Sequence, residues 1–515
     1  MFDFILAHPY LTIWISLVLI FERAMYCGYV VDDDSWFVVM KESKAAYKEK
    51  KLSLFRLILR GCYGAGIFMN KKQEHLFELI LHGINCSLMY HLIAKSSIGP
   101  AGALLASMLY LINPINNQTV IWLNGRRYAL TIMAVLIALN FWWVAPVMAF
   151  VIPWLQVSGF LFPILFLWTP FWPLVPVLAA ILSILGKKHI ISKMSDRKRD
   201  FKAGNENQKL TWRKSILYVK TVGYQFFNCI FPVNPAMYHT FLFYFSLTEE
   251  GTRNGYAINK DFWKGAGVLA LLGYLIIFQH SFWAFWFLLF ISPWCNVYQV
   301  TMNASDRYCS LPNIGVMALL AEYLLKLPDP FRTAAICSFA AFYILKYQPL
   351  FIAYRNLENF YLYHINQKPD IINPRFFLAK LYHAKKDHFS AFAIIKQGMR
   401  YHPYDFKLLL GFIECLFTLG RPISALRAMD ICDKHVPPLE VEDTNNLFAG
   451  IRKQYAKEYN ALLNSRDEID RMTPRELYEE KEKIDRKESV LPLSKREKVL
   501  RRCGNLPINR IVNVA

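Results

Sequence analysis

The chain has 515 residues, of which 55% are hydrophobic and only 19% are charged, a balance that excludes an ordinary soluble globular domain. Most of its formal net charge of +20 can be placed in basic segments that flank apolar runs, such as 187–202, which is typical of cytoplasmic membrane-protein loops rather than of a nucleic-acid-binding surface. The ten cysteines are scattered without a Cys-x-x-Cys pair, so neither a zinc site nor a disulfide framework is predicted.

Long apolar runs recur along the first two thirds of the chain and predict a polytopic helical membrane domain. The first run lacks a basic leader and a small-residue cleavage site, so we interpret it as a retained span rather than a signal peptide. Prolines interrupt the region 141–186, which leaves the span count there open by two. The eleven predicted spans are 4–22, 77–95, 99–113, 128–144, 146–166, 168–186, 214–232, 263–279, 281–298, 310–326 and 331–352.

Three adjacent carboxylates, Asp32, Asp33 and Asp34, lie in the loop that follows the first predicted span. Carboxylates this close repel one another, so some must be paired, protonated or bound to a metal ion. Asp33 and Asp34 could bind a hard divalent cation such as Mg²⁺ or Mn²⁺, or one of the three could act as the general base for an attacking hydroxyl. The alternative is a solvated acidic turn that caps a helix over 35–49, since acids favour a helix N-terminus.

Two arginines, Arg126 and Arg127, end the loop 114–127 where the fourth predicted span begins. Guanidinium groups bind phosphate through paired hydrogen bonds and stay charged, so a phosphate-binding site is one interpretation. The other is that both side chains are interfacial anchors that reach towards water.

Further polar candidates border or enter the predicted spans. Asp306 and Arg307 precede the span 310–326, where the alternative is a local ion pair at the interface. His239 follows the segment FPVNPAMY, and His82 and His91 lie inside the second span. Intramembrane histidines are costly and often functional, although each could simply bind a neighbouring carbonyl group.

Charge predicts which segments share a membrane face. With the N-terminus in the cytoplasm, the basic loop 187–213 follows six spans and is also cytoplasmic, as the positive-inside rule requires. Asp32–Asp34, the two arginines and the other polar candidates outside the spans then converge on the opposite face. That face carries the segments 23–76, 114–127, 233–262 and 299–309 and everything beyond about 353.

The composition becomes soluble from about residue 357, and two segments repeat there with an offset of 34 residues, the tetratricopeptide period. Ala391 and Ala425 would be the small residues where paired helices approach, and Pro403 and Pro437 would end the second helices. The predicted domains are thus 1–356, 357–437 and a charged, mostly helical extension over 438–515. The other matching positions are Leu378, Ala379, Tyr382, Ile395 and Gly398, which recur as Phe412, Ile413, Leu416, Met429 and Cys432.

The order of these features resembles the transmembrane and tetratricopeptide-repeat (TPR) O-mannosyltransferases and their bacterial relatives, members of the C-type glycosyltransferase (GT-C) superfamily. The resemblance covers about residues 1–437 and rests on five segments in the family's order, together with the repeats. The segments are the acidic cluster 32–34, FRLILRG with EHLFELILHGINCSLMYH (55–61, 74–91), NPINNQTV with NGRR (113–120, 124–127), FPVNPAMYH (231–239) and RYCSLPNIG (307–315).

The resemblance implies an all-α, GT-C-like bundle of about 11 spans followed by a short TPR domain. It implies inverting transfer of a sugar, typically mannose, from a polyprenyl- or dolichyl-phosphate carrier to an acceptor hydroxyl. One of Asp32 to Asp34 would be the catalytic base or metal-linked acid, and Arg126 would contact the carrier phosphate, with Arg307 as a second candidate. Arg127, His239 and Gln118 complete the expected substrate-binding residues.

The implied partners are the membrane lipid carrier and an acceptor protein or glycan presented by the TPR helices, with no nucleic acid. The short repeat array favours a bacterial or virus-encoded member over an animal one. The expected location is therefore the bacterial inner membrane, or the endoplasmic reticulum membrane in a eukaryote, with the repeats on the periplasmic or luminal side.

Three departures from the family's pattern bear on activity. Gln118 stands where the family has Glu, and Asn113 and Asn116 stand where it has histidines. Altered metal or acceptor handling, or an inactive protein, would follow if the Glu is essential. A non-catalytic, membrane-anchored TPR scaffold is therefore the alternative function. A transporter is disfavoured because the span pattern shows no internal repeat.

Overall fold

The computed structural model describes residues 6–30, 70–155, 157–182, 212–237, 257–295, 305–403 and 405–435, together with a few isolated positions. Within these ranges all regular structure is helical and no strand occurs, so the predicted all-α class is confirmed for this part of the chain. The chain divides into two compact units, Met1–Gln367 and Lys368–Ala515.

Most helices of the first unit lie on the apolar runs of the sequence. A helix pairs all its backbone groups internally, and its apolar side chains are then free to contact lipid or one another. Each of the eleven predicted intervals contains or overlaps helical structure. In chain order the labelled α-helices are α1 (Pro9–Phe21), α2 (Lys71–Ala94), α3 (Gly99–Ile112), α4 (Asn117–Val120), α5 (Arg126–Asn140), α6 (Ala145–Leu155), α7 (Trp212–Ile230), α8 (Lys260–Ile277), α9 (Phe282–Ile291), α10 (Asp306–Cys309), α11 (Asn313–Leu325), α12 (Phe331–Ala353) and α13 (Leu357–Gln367). One further helix, over 174–182, lies between α6 and α7.

Two of the described helices, α2 and α12, are long and apolar enough to cross a membrane. A third span is possible if the segments Pro114–Val120 and Leu123–Asn140, which meet at an angle of 93°, count as one broken helix. Several other apolar helices, among them α3 and α11, are shorter. A membrane-spanning character is therefore supported, whereas the count of eleven spans stays a prediction.

The proline-rich region 141–186 folds into short pieces, as its sequence predicts. Helix α6 ends at Leu155, a 3₁₀-helix runs over Val157–Trp168 with Pro163 inside it, and a further helix covers 174–182. Proline lacks the amide hydrogen that a continuous α-helix requires, and Pro170 and Pro173 lie between the 3₁₀-helix and the helix over 174–182. Pro146, Pro153 and Pro176, in contrast, are accommodated inside helices.

The second unit contains two consecutive pairs of helices. The first pair is α14 (Asn373–Ala384) and α15 (His388–Tyr401), and the second is α16 (Phe406–Thr418) and α17 (Pro422–His435). Corresponding helices of the two pairs end 34 residues apart, the offset that the sequence repeat predicts. Ala391 and Ala425, the predicted small positions, are both fully buried.

Asp387 caps the N-terminus of α15, and Asp405 caps the N-terminus of α16. Asp387 accepts hydrogen bonds from the amide of Ser390 (3.1 Å) and from its hydroxyl (2.6 Å), whereas Asp405 accepts one from the amide of Leu408 (3.1 Å). The bonds from Ser390 lower the pKa of Asp387. Burial raises the pKa of Asp405. The two caps therefore respond to acid in opposite directions.

Acidification is expected to loosen the start of α15 but not that of α16. Asp387 stabilises the fold when ionised, so its contribution is lost as the pH falls below the ordinary carboxyl value of about 4 and through the lowered pKa. Burial makes Asp405 bind its proton more tightly in the folded protein than in the unfolded chain. Its contribution to the free energy of unfolding therefore grows as the pH falls from its raised pKa to about 4. Hydrogen exchange of the full-length protein should show protection of 388–401 falling roughly fivefold, as loss of a helix cap would produce.

The variant D387N should abolish this pH response, because asparagine caps a helix without titrating. The variant D405N is the matched control, since it alters the equivalent cap in the other helix pair. Equal loss of protection in both helices on acidification would contradict the assignment.

Candidate functional site

The predicted site residues fall into two groups. Asp32, Asp33, Asp34 and His239 lie outside the described residues. Gln118, Arg126, Arg127 and Arg307 all lie in the first unit, close to the bend between α4 and α5 and to the short helix α10.

A close backbone contact fixes the bend in front of Arg126. Gly125 packs against the carbonyl group of Gln118, and a Cβ atom at position 125 would lie 1.7 Å from that oxygen. No side chain fits there, so the fold requires glycine at position 125. The contact sets where α5 starts and hence where its first residue, Arg126, is placed.

Arg126 is buried between two carboxylates of α2. Its Nη2 atom lies 2.5 Å from Glu74 Oε2, and its Nε atom donates to Glu78 Oε1. Glu74 and Glu78 are four residues apart and therefore share one face of the helix. The ring of Phe77 lies 5.0 Å from the guanidinium carbon. Two negative charges thus surround one positive charge in a site that is only 3% exposed at the arginine.

Asp306, fully buried at the start of α10, joins three distant parts of the chain. Its carboxylate accepts hydrogen bonds from Asn117 Nδ2 (2.8 Å), from the amide of Ala236 (2.6 Å) and from Asn228 Nδ2 (3.3 Å). The donors come from α4, from the segment after α7 and from α7 itself. Asn117 is held from its other side by the hydroxyl of Tyr354 (2.9 Å).

Gln118 uses both ends of its amide in the same network. Its Nε2 atom donates to the carbonyl oxygen of Ala236 (3.1 Å), and its Oε1 atom accepts from the Ser305 hydroxyl (3.3 Å). That hydroxyl also lies 2.9 Å from the carbonyl oxygen of Met237. An ionised glutamate could not donate to Ala236, so the amide fits this position better than the acid that the family pattern has there.

Helix α13 fixes the segment 235–237 from the far side. The amide of Met237 donates to His364 Nε2 (2.9 Å), so this imidazole carries its proton on Nδ1, which donates to the carbonyl oxygen of Phe360 (2.7 Å). The hydroxyl of Tyr363 donates to the carbonyl oxygen of Pro235 (3.0 Å). Together with the hydrogen bonds of Asp306, these contacts bring NPINNQTV (113–120) and FPVNPAMYH (231–239) next to the residue that precedes RYCSLPNIG (307–315). Three of the segments that carry the family resemblance therefore meet around Asp306.

The two other arginines have different surroundings. Arg307 lies over the rings of Trp122 (5.5 Å) and Tyr308 (5.3 Å), and it is 9% exposed. Arg127 is half-buried, and its Nε atom has no hydrogen-bond partner among the described residues. The two aromatic faces help to hold the guanidinium of Arg307 in place.

The other histidine candidates make ordinary contacts. His82 Nε2 lies 3.1 Å from the carbonyl oxygen of Leu111, the alternative that the sequence left open, and His91 Nδ1 lies 3.2 Å from the Tyr10 hydroxyl. Neither contact places the imidazole beside Arg126 or Asp306.

Sequence reasoning missed the carboxylates of Glu74 and Glu78. The signal was present, because two acids at i and i+4 in a helix apolar enough to span a membrane are costly unless a cation neutralises them. It also missed Asn117, Asn228 and His364 as hydrogen-bonding residues, for which the sequence offers no signal apart from their polarity.

The predicted metal site at Asp33 and Asp34 lies outside the described residues. Among the residues that the structure describes, no group of three or more His, Cys, Asp or Glu side chains is arranged to hold a metal ion.

In the part of the chain that the structure describes, the regular structure is helical, and two or three of its spans are long and apolar enough to cross a membrane. The chain matches no protein-family model, and neither the curated proteins nor the solved structures compared with it gave a match.

Proposed function

We propose that the protein is an integral-membrane glycosyltransferase of the GT-C type, with about eleven spans and a short TPR domain. It moves a sugar, mannose or another hexose, from a polyprenyl- or dolichyl-phosphate carrier to a hydroxyl of a protein or glycan. The acceptor oxygen bonds to the anomeric carbon as the bond from that carbon to the phosphate oxygen breaks, with inversion. One of Asp32 to Asp34 takes the acceptor proton, and Asp33 and Asp34 would hold a divalent ion such as Mg²⁺ or Mn²⁺, which would stabilise the negative charge on the leaving phosphate.

The observation that carries this proposal is the meeting of NPINNQTV, FPVNPAMYH and RYCSLPNIG and their immediate neighbours around Asp306. The hydrogen bonds of Asp306 join it to Asn117 and Ala236, which are 189 and 70 residues away along the chain. Segments that resemble one family in order and also converge in space are what a common site requires. The carrier phosphate leaves more readily when cations stabilise its charge, and Arg126, with Arg307 as a second candidate, would supply them.

The proposed setting follows from the same resemblance. The protein is a multi-pass protein of a bacterial inner membrane, or of the endoplasmic reticulum membrane in a eukaryote, and its TPR helices face the periplasm or lumen. There they present the acceptor to the loop that carries Asp32–Asp34. The two helix pairs with a 34-residue offset support this assignment of the second unit.

Gln118 favours a second candidate, a catalytically inactive TPR scaffold anchored in the membrane. Both ends of its amide are engaged in hydrogen bonds within the protein. A position that carries an acid in the family is thus a structural residue here, as expected where the site no longer performs chemistry.

The double variant D33N/D34N distinguishes the two functions. Membranes containing the full-length protein are supplied with radiolabelled polyprenyl-phosphate mannose, and label transferred to endogenous protein or glycan is measured. Loss of the general base is expected to reduce transfer by about 100-fold or more. The control is D329N, whose carboxylate is exposed and pairs locally with Arg332. Transfer that is unchanged in D33N/D34N would refute the transferase and leave the scaffold.

A further inference from the structure

The ion pairs of Arg126 leave this arginine poorly suited to bind an anion as it stands. Both Nε and Nη2 of the guanidinium are engaged, by Glu78 and Glu74 respectively. When both carboxylates are ionised, they place two negative charges against the one positive charge of the guanidinium in a buried site. A phosphate added beside two ionised carboxylates would bring further negative charge into this site, which is strongly unfavourable away from water.

The cluster is nevertheless incompletely satisfied. Glu78 is fully buried, and its Oε2 atom has no hydrogen-bond partner among the described residues. Replacing a carboxylate that is bound through only one oxygen costs less than breaking a fully bonded pair. Glu78 is therefore the carboxylate that a competing anion would displace more easily from Arg126.

The geometry also shows which partner has to move. Gly125 locks the backbone in front of Arg126 against the carbonyl group of Gln118. Glu74 and Glu78, in contrast, lie on successive turns near the start of α2, and Glu74 belongs to its first turn. A rotation or shift of these turns would withdraw both carboxylates from the arginine together, since they share one helix face.

We propose that Glu74 and Glu78 form a latch on Arg126, and that a phosphate group binds this arginine only by displacing the carboxylates. The inference rests on the proposed function, because it concerns how the carrier phosphate enters that site. In this arrangement the latch keeps the arginine occupied until a lipid phosphate arrives. The glutamates are positioning residues that set the affinity for the carrier and take no part in sugar transfer.

Binding of farnesyl phosphate to the full-length protein in detergent, measured by titration calorimetry, tests the latch. Neutralising one carboxylate with the isosteric variant E78Q leaves a balanced Arg126–Glu74 pair and removes the repulsion. The Kd is expected to fall on the order of tenfold, the size of a typical coupling between ligands. The variant E74Q should act in the same direction, and R126Q should abolish binding even when combined with E78Q.

The matched control is E322Q, which removes a glutamate from an exposed pair with Lys326 and should leave the Kd unchanged. Farnesol tests the need for the phosphate, and inorganic phosphate tests the need for the lipid. Tightening by E78Q for farnesyl phosphate alone supports the latch with a lipid headgroup as its ligand. Equal tightening for inorganic phosphate supports it with the phosphate group alone as ligand.

Several results would overturn the latch. These are an unchanged or weaker affinity in E78Q, loss of binding in R127Q but not in R126Q, and failure of every form to bind. Failure of the latch can be separated from failure of the proposed function. If the protein transfers sugar but E74Q and E78Q leave its Kd for farnesyl phosphate unchanged, only the latch is refuted. If E78Q lowers that Kd but no sugar is transferred, only the transferase is refuted.

Discussion

Replacing Asp306 by alanine is expected to lower the apparent Tm of the full-length protein in detergent by roughly 5 °C or more. The carboxylate accepts hydrogen bonds from Asn117, Asn228 and the Ala236 amide in a fully buried site. Its removal leaves buried donors without a partner, each at a cost of about 1–3 kcal/mol. Thermal unfolding followed by tryptophan fluorescence measures the loss.

The variant D306N separates the shape of the side chain from its charge. An amide can accept at one end only, so its NH₂ group must face donors on one side of the network. Its Tm is expected to lie between those of the wild type and D306A. The control D329A removes an exposed carboxylate that pairs with Arg332, and exposed pairs contribute little. If D306A melts at the same temperature as D329A, the hydrogen bonds around Asp306 do not hold the segments together.

A single methyl group at Gly125 is expected to be about as damaging. In G125A the new Cβ atom would lie 1.7 Å from the carbonyl oxygen of Gln118, so the backbone at the bend must move. Overpacking of a buried contact typically costs about 1–3 kcal/mol, and a clash with backbone belongs at the upper end. The shift would also carry Arg126 away from Glu74 and Glu78. The apparent Tm in detergent should therefore fall.

The control for this variant is G273A in α8. A Cβ atom on Gly273 meets nothing within 4 Å, and alanine is favoured over glycine inside a helix by about 0.5–1 kcal/mol. The two identical substitutions are thus expected to have opposite signs. A G125A protein as stable as the wild type would show that the bend is not constrained by this contact.

Much of the fold follows from patterns that are local in the sequence. Apolar runs predicted where most helices of the first unit lie, and the prolines between 141 and 186 predicted that this region is divided into short helices. The 34-residue repeat predicted the two helix pairs of the second unit. The acidic cluster Asp32–Asp34 remains a prediction, because those residues lie outside the described part of the chain.

The partners of the candidate site residues were not predictable in the same way. NGRR marked Arg126 as a candidate phosphate ligand, yet its neighbours are Glu74 and Glu78, more than 45 residues earlier in the chain. Gln118 was noted as a departure from the family pattern, and only its contacts explain why an amide fits there.

The sequence alone determined the helical class, the membrane-type composition and the positions of the helices, because hydrophobicity, proline and repeat length act within a few helical turns. Only the tertiary structure decided that Asp306 joins α4, α7 and the segment that follows α7. It also decided that Glu74 and Glu78 form ion pairs with Arg126. Those contacts depend on how distant helices are placed relative to one another, and in a low-dielectric interior such placement determines which charges and hydrogen-bonding groups must pair.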